Sequence, residues 1–395
     1  MKLGERWLLP DGVDEVLPPF AEPLEQLRRD ILDVFRSWGY ELVLPPLVEF
    51  IESLQSGNGK DLDLQTFKIT DQLTGRLMGM RADMTPQVAR IDAHRLATDS
   101  LRRLCYVGPV LHARADKFAG SRNPLQIGAE LFGHGGIESD AEVVCLLADV
   151  LKRADLDRVT IELGHMGLFK ALIDAAALDN DATDKLLDAL LRKAEVEVEE
   201  CLSENGVSGP GAAHIVGLLH LNGGVDVVDE ARTVLASAPP SVLAALDAIG
   251  ALIEQLRIRI PEIDLHVDLA ELRGYRYHTG LIFAAYLPGE GRPIAWGGRY
   301  DNIGQQFGRP RAATGFSTDL KNLIGVRRHL PAEGKKIFAP EGNESELLAA
   351  ISRLRNQGSV VIQALAGQIG SANDLGCSGA LVQRGGAWII EDLSD

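Results

Sequence analysis

The chain reads as an α+β protein: an antiparallel sheet flanked by helices, carrying a helical insertion and followed by a small C-terminal α/β module. Three observations predict this. Helix and strand signals alternate up to about residue 165; strand signals then vanish between 167 and 257; and they return from 265, with a charged linker at 330–336 setting off a last short group of elements. The expected division is a core of residues 1–165 and 259–330, an insertion of 166–258 and a module of 331–395.

Taken in order, Phe20, Leu24, Leu27, Ile31, Val34, Phe35 and Trp38 recur every three or four residues, which predicts an amphipathic helix ended by Gly39. Strand formers at 40–44 follow and stop at Pro45-Pro46, because proline cannot donate to a ladder. The runs 66–69 and 76–80 flank turn residues and predict a hairpin. Thr85 then opens a helix as its N-cap, with Pro86 in the first helical position.

The stretch 104–133 is the centre of the chain. Its end alternates with period two, so Leu125, Ile127, Ala129 and Leu131 share one strand face while Gln126, Gly128 and Glu130 share the other. A glycine between an amide and a carboxylate leaves room above the backbone, which suits the floor of a small-molecule pocket. The same pattern also fits a plain antiparallel strand with one wet face.

A helix over 141–152 and a strand over 158–163 lead into the insertion, where Ala, Leu, Asp and Glu run in helical periodicity, broken at 206–211, 222–224 and 239–240. Strands are expected again at 265–269, 279–286, 293–296 and 313–316, then a helix over 318–328. The C-terminal module shows strand, helix and three strands at 337–340, 345–356, 360–363, 380–382 and 388–390, near the lower size limit for folding alone.

A net charge of −16 and a pI near 5.1 oppose a large phosphate-binding surface. Cys105, Cys145, Cys201 and Cys377 are far apart, with no CxxC pair or metal-ligand spacing, and read as reduced thiols. No apolar run approaches the roughly 18–20 residues of a membrane span, so a soluble cytoplasmic protein without a membrane anchor is expected.

The order of helix into proline-ended strand, hairpin, and glycine-bearing strand into helix, together with Arg-Gly-Tyr-Arg-Tyr-His-Thr-Gly at 273–280 and Gly-Gly-Arg-Tyr-Asp-Asn at 297–302, resembles the class II aminoacyl-tRNA synthetases, and among them the histidyl-tRNA synthetases, over residues 1 to 330. That resemblance implies an ATP site clamped by two arginines, since a polyanion is held by planar, permanently charged donors. The first clamp position is His112 here, with Arg114 at an acidic position, and the second is Asn322, beside Lys321. The resemblance therefore implies that both clamps are missing and ATP binding is greatly weakened, unless Lys321 or Arg114 substitutes by a register shift.

It also implies a histidine pocket built from Asp83 (a glutamate in the synthetases), Thr85, Gln126, Glu130, Arg273, Tyr277 and Tyr300. Glu130 and Asp83 would meet the ammonium, Arg273 the carboxylate, and Gln126 and Tyr277 the ring, with His278 and Arg276 replacing a tyrosine and an aspartate of the family stretch. Read singly, Thr85 serves equally as a helix cap, Arg273 as a partner of Glu271 or Asp268, and Tyr300 as core. The tail resembles a shortened first half of an anticodon-binding domain without a basic cluster, so anticodon reading is not expected.

A class II core that keeps the amino-acid pocket and loses the clamps resembles the family of ATP phosphoribosyltransferase regulatory subunits, non-catalytic paralogues of histidyl-tRNA synthetase in histidine biosynthesis. The resemblance implies a regulatory subunit with no cofactor and no nucleic acid. It would form a homodimer through residues 20–46 within a hetero-oligomer, activate a short-form catalytic ATP phosphoribosyltransferase subunit, and mediate feedback by histidine as effector. No strand ending in adjacent acids precedes a Gly/Thr-rich cradle, so phosphoribosyl pyrophosphate chemistry falls to the partner. Two alternatives stay open: an active divergent histidyl-tRNA synthetase, and an assembly subunit with an empty pocket.

Overall fold

The computed structural model describes residues 7–54, 64–114, 121–272, 274, 277–327 and 335–393. The chain divides into two compact units at 328/329. The linker expected at 330–336 lies outside the described residues up to 334, and Lys336 already begins a strand.

The first unit is organised by a nine-stranded sheet. Its strands are β1 (Glu41–Val43), β5 (Arg102–Pro109), β6 (Leu125–Phe132), β7 (Thr160–His165), β8 (Asn222–Gly223), β9 (Asp264–Asp268), β10 (Leu281–Tyr286), β11 (Ala295–Arg299) and β12 (Ala313–Asp319), in the order β1-β5-β6-β12-β11-β10-β7-β9-β8. The run from β5 to β7 is antiparallel throughout, and only β1 on β5 and β7 on β9 are parallel. A smaller sheet, β2 (Val48–Phe50), β4 (Leu77–Met80) and β3 (Phe67–Thr70), contains the expected hairpin, closed by Asp71 N–H to Arg76 O at 2.8 Å.

Helix α1 (Ala21–Ser37) buries Leu24, Leu27, Ile31 and Phe35, the stripe read from the sequence. Gly39 follows at φ +80°, a left-handed turn that a side chain would strain, and returns the chain into β1. A single turn, α2 (Ile51–Leu54), precedes α3 (Thr85–His94) and α4 (Ile137–Arg153); α4 starts four residues before the expected 141, its first turn carrying Glu138 and Asp140. The apolar stripe of α1 packs on α4 and on α11 (Leu320–Gly325) of its own chain.

The insertion holds α5 (Met166–Ala176), α6 (Asn180–Leu191), α7 (Glu195–Glu204), α8 (Pro210–Gly217), α9 (Val227–Val234) and α10 (Pro240–Arg259). It is not separate: α10 packs on α4 and α5, and its short β8 pairs with β9 as the last strand of the main sheet. Two residues of strand are too few to show as periodicity.

The second unit is a four-stranded sheet, β14 (Val360–Gln363), β13 (Lys336–Ala339), β15 (Gly379–Arg384) and β16 (Ala387–Asp392), in that order. One helix, α12 (Ser345–Asn356), packs Leu347, Ala350, Ile351 and Leu354 on Ile337, Ala339, Val361 and Leu381. All five expected elements are present.

Candidate ligand-binding site

The expected wet face of β6 does not exist: from Ile127 to Phe132 every residue is buried. Gln126, Gly128 and Glu130 do share a face, and register explains what that face holds. Tyr106 of β5 stands opposite Gly128, and Gly315 of β12 stands opposite Glu130. A Cβ at 128 would lie 2.5 Å from the Tyr106 hydroxyl, and one at 315 would collide with Glu130 Oε2. The two glycines thus let two side chains lie flat across neighbouring strands. The room above Gly128, assigned to a ligand from the sequence, is filled by Tyr106.

Glu130 is 1% exposed, at the bottom of this arrangement. The Tyr106 hydroxyl donates to its Oε1 at 3.0 Å and the Tyr300 hydroxyl to its Oε2. Thr85 Oγ1 lies 3.0 Å from the Tyr106 hydroxyl. Burial pushes the Glu130 carboxyl up to about 8, against the lowering pull of its hydroxyl partners, so the group is largely protonated at neutral pH. Burial likewise raises the three tyrosines Tyr106, Tyr277 and Tyr300 well above the usual phenol range.

A half-buried polar end lies above this bottom. Gln126 donates Nε2 to Asp83 Oδ1 at 2.8 Å and accepts at Oε1 from Met84 N–H at 2.9 Å, while Thr85 N–H donates to Asp83 Oδ1 at 3.1 Å. Thr85 is therefore not the N-cap. It is the first helical residue, the N-cap Met84 makes no side-chain cap bond, Asp83 accepts from the Thr85 N–H instead, and the Thr85 hydroxyl is spent on Tyr106. Tyr277 stacks at 5.1 Å and 32° on Tyr300, and its buried hydroxyl, beside Thr85, has no hydrogen-bond partner of good geometry among the described residues. His278 stands edge-on to Tyr277 at 5.3 Å, held neutral by burial that lowers it to about 4. Tyr300 is both core and site.

Six of the seven expected residues are thus placed: Asp83, Thr85, Gln126, Glu130 and Tyr300 form one connected hydrogen-bond network, with Tyr277 packed on it. Arg273 lies outside the described residues, as does Arg276. Sequence reasoning missed Tyr106, although the period-two face Leu104, Tyr106, Gly108 of a hairpin partner could have suggested it. It also missed Arg81, a buried guanidinium that donates to Pro45 O at 2.7 Å and Pro109 O at 2.9 Å. Arg81 fixes the turn that carries Asp83 against the ends of β1 and β5.

The phosphate end is different. His112 Nε2 lies 3.0 Å from Ala82 O, and Arg122 donates to His112 O, Ala113 O and Asp11 O at 2.9–3.0 Å. Lys321 Nζ is paired with Asp14 Oδ2 at 3.2 Å. Asp14 is itself tied to Ser121 and Asn123, so residues 11–14 lie along the loop before β6. Arg114 is exposed.

Among the described residues no group of three His, Cys, Asp or Glu side chains could hold a metal ion, and no helix is long and apolar enough to cross a membrane. The four cysteines are free and buried.

A connected polar network on the antiparallel sheet accords with a class II synthetase-like core, and the histidyl-tRNA synthetase family model matches residues 12–323. A second model, the ATP phosphoribosyltransferase subunit HisZ C-terminal domain, matches 334–391. The ATP phosphoribosyltransferase regulatory subunit of Alkalilimnicola ehrlichii is 51% identical over 98% of both chains, and that of Thioalkalivibrio sulfidiphilus 51% over 99% of both. A crystal structure of an ATP phosphoribosyltransferase regulatory subunit/histidyl-tRNA synthetase from Bacillus halodurans superposes with a TM-score of 0.82 at 27% identity, covering 93% of this chain and 95% of that one. The chain belongs to the family of ATP phosphoribosyltransferase regulatory subunits.

Proposed function

We propose that the chain is a non-catalytic cytoplasmic subunit that assembles with a short-form catalytic ATP phosphoribosyltransferase chain, activates it, and carries feedback by histidine. The observation behind this reading is the contrast between two groups of polar residues. The amino-acid end keeps a connected polar network and a buried Tyr277 hydroxyl that has no hydrogen-bond partner of good geometry among the described residues, whereas His112 and Lys321 at the phosphate end are engaged by Ala82 O and Asp14. A pocket so built binds an amino acid without activating it.

The geometry redistributes the roles read from the sequence. Asp83, half-buried beside Gln126, is the group for the ammonium; Glu130, buried and largely protonated, is not, because an ammonium there would require ionising a buried carboxyl. The Glu130 carboxyl and the Tyr277 hydroxyl are suited to a neutral ring with an N–H and a lone pair, the imidazole. Arg273 takes the carboxylate in this reading. Histidine then biases the β5–β6–β12 floor and, through it, the surface that meets the catalytic chain, as a coupling between two sites.

Homodimerisation uses β1 rather than the stripe of α1, which is buried in its own chain. Among the described residues β1 is an edge strand, with Leu42 within it 48% exposed and Leu44 just beyond it 73% exposed.

Copurification with a catalytic chain, followed by its activity with and without this protein, tests the assembly. Calorimetry tests the pocket: histidine binding is expected to weaken at least tenfold in both Asp83→Asn and Glu130→Ala, and unchanged affinity in both removes the site. Histidine-dependent pyrophosphate exchange by the chain alone would instead favour an active synthetase.

A further inference from the structure

Among the described residues the second unit has two edge strands, β14 and β16, and the chain treats them differently. At β14, Arg355 of α12 donates Nε and Nη2 to the Val361 carbonyl at 3.3 and 2.9 Å, so a charged side chain guards that strand. At β16 no side chain of the described residues bonds to the backbone of Ala387–Asp392. The strand contains no proline or lysine, and its pairing with β15 is unbroken by a bulge over all six residues. A regular edge rich in β-branched and aromatic residues, left without these protections, is a template for another strand.

Its exposed side chains point the same way. Ile389 and Ile390 alternate to opposite faces of the sheet, yet they are 43% and 45% exposed, one as much as the other. A strand laid alongside β16 would extend both faces of the sheet past them. The helix α12 covers one face and cannot do so.

The charge pattern identifies that strand. Antiparallel pairing of β16 with its own copy about Ile389 sets Trp388 opposite Ile390 and Ala387 opposite Glu391; pairing about Ile390 sets Trp388 opposite Asp392 and Ile389 opposite Glu391. In neither register does an acid face an acid, and Glu391 and Asp392 are already neutralised by Arg384 at 2.8 Å and Lys335 at 3.0 Å. The strand is self-complementary, as a two-fold interface requires. The unit is also near the size at which a single small core is marginal, and a doubled sheet relieves that.

We propose that β16 pairs antiparallel with β16 of a second copy of this chain, joining two four-stranded sheets into one. This contact is separate from the β1 edge, so the full-length chain is expected to assemble beyond a dimer. By sedimentation or light scattering, Ile389→Lys is expected to halve the mass of the assembled full chain while its unfolding midpoint stays close to that of the parent. Because the native cysteines are buried, Ile389→Cys or Ile390→Cys is expected to give a covalent dimer under mild oxidation, whichever register is used. An unchanged mass in a folded Ile389→Lys protein overturns the proposal, and so does failure of both cysteine variants to cross-link. Loss of the catalytic chain on copurification with the mass unaltered also overturns it, assigning the edge to that chain instead.

Discussion

The network around Glu130 and the pair His112 and Lys321 differ in where their polar groups are spent. At the amino-acid end, Glu130, Tyr106, Tyr300 and Thr85 are bonded to one another, and two glycines exist to let them meet. At the phosphate end, His112 and Lys321 are bonded to backbone and to Asp14, groups with no bearing on a ligand. A network that satisfies itself can be kept as a preorganised site. A lysine tied to its own chain cannot clamp a polyanion without first losing that partner, and the proposed split between recognition and reaction rests on this.

The largest effect expected concerns the buried carboxyl. In the unfolded chain a glutamate loses its proton near 4.5, whereas folded Glu130 holds it up to about 8. The folded state therefore binds the extra proton between these values, and stability falls as pH rises from about 4.5 to 8, by on the order of 4 kcal/mol in all. Urea unfolding at pH 5 and pH 8.5 reads this directly. Glu130→Gln imitates the protonated form, so it should cost no more than about 1 kcal/mol at pH 5 and flatten the profile. A steep profile retained in that variant would place the titration elsewhere.

Gly128→Ala and Gly315→Ala attack the same end through shape. Each adds a methyl where Tyr106 or Glu130 lies across the strand, and overpacking of this kind costs about 1–3 kcal/mol. Histidine binding should be lost along with the stability, since the bottom of the pocket moves. A calorimetric titration that is unaltered in both would mean that the ligand does not touch this network.

Much of the fold was legible because it rests on local period and punctuation. The stripe from Leu24 to Phe35, Gly39, the hairpin before Arg81 and the elements from Lys336 onward are each set by residues close in sequence. The site was legible as a set of residue types, but their uses were not. Thr85 looks like a cap until Tyr106 stands 3.0 Å away, and Gly128 looks like ligand space until register puts Tyr106 opposite it. Both facts depend on strands 20 residues apart and on the third strand, β12, almost 190 residues further on, which no local pattern encodes. Arg81 was invisible for the same reason, since its acceptors are Pro45 and Pro109.

At the phosphate end the effects should be smaller, and that difference sharpens the comparison. His112→Ala removes one side-chain hydrogen bond to a backbone carbonyl and should cost about 0.5–1.5 kcal/mol, with histidine affinity within twofold of the parent. A tenfold loss of affinity would show that His112 belongs to the pocket after all.

The smallest change is expected at Asp14. Its pair with Lys321 joins a mostly covered ammonium to a carboxylate that is about half exposed, and such pairs contribute roughly 0–1 kcal/mol. Asp14→Asn keeps the shape and the ability to accept from Ser121, so stability should fall by less than about 1 kcal/mol, and the difference should shrink further in high salt. The variant also frees Lys321, which is the sharper use of it. If Asp14 is what keeps this lysine from an anion, inorganic triphosphate should protect the variant against thermal unfolding more than it protects the parent, and the excess should vanish in Asp14→Asn/Lys321→Ala. If triphosphate has the same effect on all three proteins, the segment 11–14 has no part in keeping an anion from Lys321.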